Sequence, residues 1–257
     1  MAFRGKVVLI TGGGSGMGRA MALRLAAAGA KVAIADLNEA GMAEVVAQHP
    51  SIVAFKCNVS VADEVERLVE QVEHTLGPID RLAAAAGIMP GATIEDMSAE
   101  RINQIMRVNY EGTVYAVKAV LPGMRARNSG DIILFGSLAG VVFTKGMAAY
   151  NASKAAVNAF GEVLAHELRG TGLRITTVRP GAVNTPLIGQ ASDAVKSLRD
   201  AAEKGQMAAP EAIIDAIEAG LGRGNLWIYP TVDACFIQWL RRFSPALAWS
   251  LMNYFAA

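Results

Sequence analysis

The chain has 257 residues, a formal net charge of +1 and two cysteines, Cys57 and Cys235. The balanced charge, with no basic run longer than Arg241-Arg242, argues against a nucleic-acid partner. Two cysteines without a CxxC pair predict neither a disulfide framework nor a metal site. The length suits one α/β domain over residues 1–257. The N-terminal sequence lacks a signal-peptide cleavage pattern, so we expect a protein of the reducing cytoplasm.

The first unit of the chain is an apolar run followed by a glycine cluster. KVVLIT (6–11) has the pattern of a strand that is buried on both faces. Glycines stand at positions 12, 13, 14, 16 and 18, before a helix over about 17–28 that ends at Gly29 and a strand KVAIAD (31–36). This unit predicts a dinucleotide site, because glycines let a pyrophosphate approach the free N–H groups of a helix N-terminus.

Asp36 ends the second predicted strand. A carboxylate at this place accepts hydrogen bonds from the adenosine ribose hydroxyls and repels the 2′-phosphate of NADP, so the sequence predicts NAD. Neither Ser15 nor Leu37 supplies a cation that would offset the repulsion. A second interpretation, which does not exclude the first, is that Asp36 caps the helix that starts near Asn38.

Strands and helices alternate along the rest of the chain, which predicts a Rossmann-type, doubly wound parallel sheet of about seven strands. The further strands are predicted at SIVAFKC (51–57), 81–86, DIILFG (131–136), LRITTVRP (173–180) and LWIYP (226–230). The further helices are predicted at about 60–76, 98–127, 147–169, 189–205 and 210–222. Ser60 and Asp63 have the spacing of a capping box for the first of these helices, and Ser98 is the predicted cap of the second.

Candidate site residues gather at the carboxyl ends of the predicted strands, where ligands bind in such sheets. The glycine turn, Gly87 and Ser137 all fall there. Tyr150 and Lys154 stand four residues apart on the next helix and therefore share a face. An ammonium group close to a phenol lowers the phenol pKa, which suits Tyr150 to general acid–base chemistry.

Two motifs carry a family resemblance. The glycine turn 11–18 has the form Thr-Gly-x-x-x-Gly-x-Gly, and with Tyr150-x-x-x-Lys154 it resembles the short-chain dehydrogenase/reductase family. The segment Val108-Asn109-Tyr110-Glu111-Gly112 looks like the family's helix asparagine segment, and Pro180-Gly181 with Thr185 looks like its nicotinamide-side segment. The resemblance covers nearly the whole chain.

The resemblance implies an oxidoreductase that moves a hydride between nicotinamide and a substrate carbon. Tyr150 is implied to exchange a proton with the substrate oxygen, which Ser137 orients. Lys154 is implied to bind the nicotinamide ribose and lower the Tyr150 pKa, while Asn109 holds a water that links Lys154 to solvent. The residues implied to bind the cofactor are Gly12, Ser15, Gly16, Met17, Gly18, Asp36, Leu37, Asn58, Val59, Ala86, Gly87, Tyr150, Lys154, Pro180, Gly181, Val183 and Thr185.

The chain departs from the family pattern at two places. Ala84-Ala85-Ala86-Gly87 stands where the family usually has Asn-Asn-Ala-Gly, which removes side chains that would brace this strand. Asn58-Val59 stands where Asp-Val is usual. The Asn58 side-chain oxygen is still able to accept from the adenine amino group, although without charge.

The expected substrate-contacting segments are mostly apolar and hold no charge pair for a phosphate or dicarboxylate, with Lys145 expected to face solvent. Their residues are Ile88, Met89, Leu138, Val141, Val142, Phe143, Met147, Leu187 and Ile188. We therefore expect an NAD-dependent alcohol dehydrogenase or ketone reductase for a lipophilic substrate, with a secondary alcohol favoured by the resemblance. A 3-oxoacyl thioester reductase is a second hypothesis, which Asp36 disfavours. A non-catalytic NAD-sensing protein is a third, which the intact Ser137, Tyr150 and Lys154 disfavour.

The C-terminal tail, at about 231–257, is rich in tryptophan, phenylalanine and leucine. In a monomer it would leave an exposed apolar patch. Three interpretations compete: an interface with a neighbouring subunit, a lid over the substrate cleft, or contact with a membrane surface. The family's habit of forming tetramers favours the first two and predicts a homo-oligomer.

Overall fold

The computed structural model describes residues 3, 6–191, 195–230, 238 and 240–247. Seven strands form one sheet in the order β3-β2-β1-β4-β5-β6-β7, and every neighbouring pair is parallel. The strands are β1 Val7–Thr11, β2 Lys31–Asp36, β3 Val53–Lys56, β4 Arg81–Ala84, β5 Gly130–Phe135, β6 Leu173–Val178 and β7 Trp227–Ile228. The predicted doubly wound parallel sheet is confirmed.

Helices cover both faces of the sheet. They are α1 Gly16–Ala27, α2 Glu39–Gln48, α3 Ala62–Leu76, α4 Ala99–Met106, α5 Gly112–Ala126, α6 Ala148–Glu167, α7 Lys196–Glu203 and α8 Pro210–Gly222. The predicted helix at 98–127 is interrupted by a π-turn at Arg107–Glu111. The helix predicted at 189–205 begins later, at α7, and a 3₁₀ turn at Pro186–Gln190 precedes it. Among the described residues, no helix is long and apolar enough to cross a bilayer.

The two faces of the sheet bury separate apolar clusters. Leu9 of β1 shares a cluster with residues of α3, α5 and α6, whereas Val8 and Ile10 belong to the cluster that includes α1, α2 and α8. Side chains alternate between the two faces along a strand, so a strand covered on both sides is apolar at nearly every position. The ends of the strands are left as the places where polar side chains gather.

The start of α3 differs from the sequence prediction. The Ser60 hydroxyl donates to Asn58 Oδ1 at 2.7 Å, and Glu64 Oε2 accepts from the Asn58 amide at 2.8 Å. The residue at the N-cap position is Val61, which makes no side-chain capping bond. The predicted capping box of Ser60 and Asp63 is therefore wrong, because Asn58 engages the serine first. Ser98 does cap α4, accepting from the Arg101 amide at 3.2 Å.

A buried ion cluster joins the amino ends of the central strands. The Arg81 side chain is fully buried and donates to both Asp131, at 2.8 Å from Nη2, and Glu218 of α8. Arg174 of β6 donates to the same Asp131 carboxylate at 2.7 Å. Removing one partner of a buried pair leaves an uncompensated charge and costs about 3–5 kcal/mol. This cluster fixes β4, β5, β6 and α8 together at the amino edge of the sheet.

Candidate active site

The glycine turn between β1 and α1 is closely packed. A Cβ on Gly18 would lie 2.2 Å from the Gly12 carbonyl oxygen, so any side chain there forces the turn open. Gly12 has φ of +70°, a conformation that favours glycine. Its amide donates to the Ala35 carbonyl of β2 at 2.8 Å. The turn therefore brings the N-terminus of α1 to the carboxyl edge of the sheet, as a bound pyrophosphate requires.

A groove of about 500 Å³ runs along this edge of the sheet. The predicted cofactor-binding residues that line it are Gly12, Ser15, Gly16, Met17, Gly18, Asp36, Leu37, Asn58, Val59, Ala86, Gly87 and Thr185. The remaining ones line an adjoining cavity, and they are Tyr150, Lys154, Pro180, Gly181 and Val183. Arg101 of α4 is the one cation among the described lining residues of the groove. The glycine turn at the start of α1 and the Arg101 guanidinium are groups that suit an anionic dinucleotide.

Asp36 is held in the wall of the groove by two backbone donors. Its Oδ2 accepts from the Gly14 amide at 2.9 Å, and its Oδ1 accepts from the Asn38 amide at 3.0 Å. The cap of α2 is Asn38, whose side chain accepts from the Gly41 amide at 3.0 Å. Capping of α2 thus belongs to Asn38, and Asp36 instead fixes the glycine turn to the end of β2.

Asn58 lies in the groove with its acceptor occupied. Asn58 Oδ1 accepts from the Ser60 amide at 3.1 Å and from the Ser60 hydroxyl at 2.7 Å. A carbonyl oxygen has two lone pairs, so both are used within this loop. The acceptor capacity predicted for the adenine amino group is therefore taken up by Ser60.

Ser137, Tyr150 and Lys154 meet where β5 ends. The three residues are 7%, 7% and 5% exposed. The Ser137 hydroxyl accepts from the Ala139 amide at 3.0 Å, and it lines the same cavity as the Tyr150 phenol. Lys154 Nζ donates to the Phe135 carbonyl oxygen at 2.6 Å. Tyr150 and Lys154 lie on the same face of α6, as their spacing predicts.

Burial governs the proton affinities of the two titratable groups at this site. It raises the pKa of Tyr150 to about 12, an effect that the neighbouring Ser137 hydroxyl opposes. It lowers the pKa of Lys154 to about 8. The expected lowering of the Tyr150 pKa by Lys154 is not found. The Lys154 ammonium donates to the Phe135 carbonyl oxygen, and burial of the Tyr150 phenol raises its pKa instead.

Asn109 lies inside the π-turn and is fully buried. Its Oδ1 accepts from the Ile88 amide at 2.8 Å. Its Nδ2 donates to the Ile88 carbonyl oxygen at 3.0 Å and to the Ser153 hydroxyl at 3.0 Å. Asn109 thus ties the loop after β4 to α6 beside Lys154. Together with Thr11 Oγ1, which accepts from the Ala86 amide at 3.3 Å, it braces the segment that lacks the family's usual asparagines.

The cavity that adjoins the groove has a volume of about 200 Å³ and a mostly apolar lining. We call it the substrate cavity from here on. Six of the expected substrate contacts line it, namely Met89, Leu138, Val142, Met147, Leu187 and Ile188. Val141 and Phe143 are not among its lining residues, and Ile88 lines the groove instead. Lys154 is the one charged group among the described lining residues, and Lys145 is exposed, as expected.

Val195 and Leu198 are among the apolar residues of the substrate cavity that were not predicted from the sequence. Both lie at the start of α7, where the sequence is mostly polar. Their spacing of three residues, which places them on one helix face, is the only signal that could have indicated them.

Comparison with known proteins identifies the family. Residues 6–196 match the short chain dehydrogenase family, and the chain belongs to it. An uncharacterized oxidoreductase of Staphylococcus saprophyticus is 38% identical over 189 residues, which cover 72% of this chain and 81% of that one. The protein is thus an oxidoreductase of the short-chain dehydrogenase family, as the motifs predicted.

Solved structures agree with this assignment. A short-chain dehydrogenase/reductase of Burkholderia phymatum, solved in complex with NAD, has a TM-score of 0.88, 25% identity and coverage of 96% of both chains. A 3-ketoacyl-(acyl-carrier-protein) reductase of Brucella melitensis, complexed with NADH, has a TM-score of 0.78 and 29% identity, with coverage of 88% of this chain and 97% of that one.

Proposed function

We propose that the protein is an NAD(H)-dependent dehydrogenase or reductase that interconverts a lipophilic, secondary alcohol and its ketone. The observation that carries this proposal is the position of Tyr150, in the wall of an apolar cavity that adjoins the dinucleotide groove. Met17, Gly87, Thr185 and Leu187 line both spaces. A substrate in the cavity would therefore lie beside the reactive end of a dinucleotide in the groove.

Each side chain at this junction would have its own role in ketone reduction. Bound NADH supplies the hydride. The Ser137 hydroxyl would hold the substrate oxygen beside the Tyr150 phenol, which lines the same cavity. Tyr150, which its raised pKa keeps protonated at neutral pH, would donate the proton to that oxygen. Lys154 would bind the nicotinamide ribose through its ammonium group, and the phenolate that remains on Tyr150 would regain its proton from solvent. Oxidation of the alcohol reverses these steps.

The cofactor preference of the proposal follows from Asp36. Its carboxylate is fixed by the amides of Gly14 and Asn38, so it cannot swing away from a 2′-phosphate without breaking both bonds. A fixed anion favours NAD(H), whose ribose hydroxyls donate to it. The Burkholderia neighbour, which was solved with NAD, is consistent with this choice.

A 3-oxoacyl thioester reductase is the second candidate, favoured by the likeness to the Brucella 3-ketoacyl-(acyl-carrier-protein) reductase. The substrate cavity offers such a substrate no cation except Lys154 among its described lining residues. A carrier protein would also be recognised through basic surface, and the chain has a net charge of only +1. A free lipophilic ketone therefore suits this cavity better than a carrier-bound thioester.

The remaining parts of the proposal concern the setting of the enzyme. We propose a homo-oligomer, since the C-terminal tail is apolar and the family commonly forms tetramers. We place it in the cytoplasm on the basis of its cysteine usage.

The test is a turnover panel. NADH oxidation would be followed with lipophilic ketones, with 3-oxoacyl thioesters and with buffer alone, and NAD reduction with the matching alcohols. We expect turnover of ketones and secondary alcohols at higher kcat/KM than thioesters. Higher kcat/KM for the thioesters would favour the second candidate. NADH binding without turnover of any substrate would favour a sensing protein.

A further inference from the structure

Arg241, in the C-terminal part of the chain, contacts the rim of the substrate cavity. Its Nε donates to the Val141 carbonyl oxygen at 3.2 Å. Its guanidinium carbon lies 4.7 Å from the centroid of the Phe143 ring, within the range of a cation–π contact. Between these two residues, Val142 is 3% exposed and lines the cavity. Arg241 therefore contacts the residues on both sides of Val142, which forms part of the cavity wall.

A second contact joins the same part of the chain to the segment that follows β6. Arg179 directly follows β6 and precedes Pro180, which lines the cavity. Its guanidinium carbon lies 3.3 Å from the centroid of the Trp227 ring, and its Nη1 is 2.9 Å from the Tyr229 hydroxyl and 3.5 Å from Gln238 Oε1. Gln238 and Arg241 thus contact both segments that frame the cavity.

The loop at 141–143 has few backbone hydrogen bonds of its own among the described residues. Its own backbone bonds fix its beginning, since the amides of Val141 and Val142 both donate to the Leu138 carbonyl oxygen, at 2.9 and 2.8 Å. The Val141 carbonyl oxygen and the Phe143 ring are the groups that Arg241 engages. Loss of Arg241 would free the loop on the side that faces away from Leu138.

We propose that Arg241 is a positioning residue for the substrate, which sets the place of Val142 and hence the fit of the long arm of a lipophilic ketone. The proposal rests on the proposed function, because it takes the apolar cavity as the substrate site. Residues 6–196 match the family, so Arg241 belongs to a part of the chain beyond that match. The selectivity for substrate size would then come from this chain's own C-terminal part.

The test compares Arg241→Met with Arg242→Met. Arg242 is the exposed neighbour with the same charge, so its variant controls for charge and for helix position. With a series of methyl ketones, we expect Arg241→Met to raise KM for long chains by roughly five- to tenfold, since it removes a charged hydrogen bond and a cation–π contact. KM for the shortest ketone and the Kd for NADH should stay unchanged. Arg242→Met should behave as wild type.

Two further measurements separate positioning from general destabilisation. Amide hydrogen exchange at 141–144 should rise in Arg241→Met and not in Arg242→Met. Phe143→Leu removes the ring from the opposite side of the contact. Its effect on KM should be less than additive with Arg241→Met, because the two variants break the same contact.

The outcomes distinguish this proposal from the proposed function. Unchanged exchange at 141–144 in Arg241→Met, or a KM increase equal for short and long ketones, would overturn the role of Arg241. If exchange rises in Arg241→Met but the wild-type protein reduces no ketone, the contact is upheld and the proposed function fails. In Arg241→Lys, a KM for long-chain ketones between those of the wild-type protein and Arg241→Met would support the cation–π contact with the Phe143 ring.

Discussion

Asp36 Oδ2 accepts a hydrogen bond from the Gly14 amide at 2.9 Å, so the carboxylate at the end of β2 is attached to the glycine turn that follows β1. The bond joins two neighbouring strand ends and holds a negative charge in the wall of the groove. A charge that is fixed before the cofactor arrives discriminates more sharply than one on a mobile side chain, because the repelled ligand cannot displace it.

The first prediction concerns the cofactor. We expect the wild-type protein to use NAD(H) with a kcat/KM about a hundredfold higher than NADP(H), since like charges brought together cost several kcal/mol. Asp36→Ala should reduce this preference to about tenfold or less. Glu44→Ala, which removes an equal charge from the exposed side of α2, is the control and should keep the preference. An equal or higher kcat/KM for NADP(H) in the wild-type protein would contradict the prediction.

The second prediction concerns the proton donor. Tyr150→Phe keeps the ring but removes the transferable proton, so kcat should fall by about 10²–10⁴-fold, the usual contribution of a general acid. The Kd for NADH, measured by fluorescence, should change little. Tyr115→Phe removes a half-buried phenol that is hydrogen-bonded to Glu111 and lines neither the groove nor the substrate cavity, so it should leave kcat unchanged. Near wild-type turnover of a ketone by Tyr150→Phe would rule out Tyr150 as the acid.

The third prediction concerns pH. The pKa of Lys154 is lowered to about 8, so its ammonium is present below that pH and is lost as the pH rises through it. The Kd for NADH should therefore increase between pH 7 and pH 9.5, because a neutral amine binds the ribose hydroxyls less strongly. Lys154→Met should bind NADH weakly at every pH, without this increase. A constant wild-type Kd over the range would show that Lys154 does not contribute charge to binding.

The fourth prediction concerns the glycine turn. Gly18→Ala should abolish detectable NADH binding, because its Cβ would lie 2.2 Å from the Gly12 carbonyl oxygen and the turn must open. Gly123→Ala is the matched control, since its Cβ would meet only the tips of two side chains, Arg127 Nη1 at 3.3 Å and Glu73 Oε1 at 3.6 Å. Binding would be measured by titration calorimetry, with circular dichroism as a check on folding. Normal NADH affinity in Gly18→Ala would mean that the turn does not hold the pyrophosphate.

The fifth prediction concerns the C-terminal tail, which lies largely outside the described residues. Deletion from residue 236 removes Gln238 and Arg241, which contact the frame of the substrate cavity. We expect KM for lipophilic ketones to rise and the melting temperature to fall. A fall in oligomer mass would indicate a subunit interface in addition. Liposome co-sedimentation of the intact protein, lost on deletion with KM and assembly unchanged, would instead support membrane contact.

Much of the fold was predictable because it depends on local patterns. Strands covered on both faces are continuously apolar, and β2 agrees with its predicted bounds to the residue. The start of α3 was not predictable, because the choice between Ser60 as a cap and Ser60 as a partner of Asn58 depends on the path of the whole loop. The π-turn was not predicted either, because the bonds that Asn109 makes there, to Ile88 and Ser153, join distant parts of the chain.

The residues of the site also include some that were predictable from the sequence and some that were not. The residues at strand ends and on one face of α6 were predictable from spacing, and they lie together in the structure. Contacts between distant parts of the chain left no pattern to detect. The bond from Arg241 to Val141 spans a hundred positions, and the burial that raises the Tyr150 pKa arises from the whole cavity wall.

The π-turn at Arg107–Glu111 also sets the phase of the long helix. Each residue of an α-helix advances the chain by about 100°, and a π-turn absorbs roughly one extra residue without that rotation. Asn109 can therefore face Ile88 while Val117 and Val120, further along α5, still face the core. In a homologue that loses one residue from this turn, the helix could keep either the bond from Asn109 to Ile88 or the burial of Val117 and Val120, but not both. Changes in length should therefore be selected against more strongly here than in a surface loop.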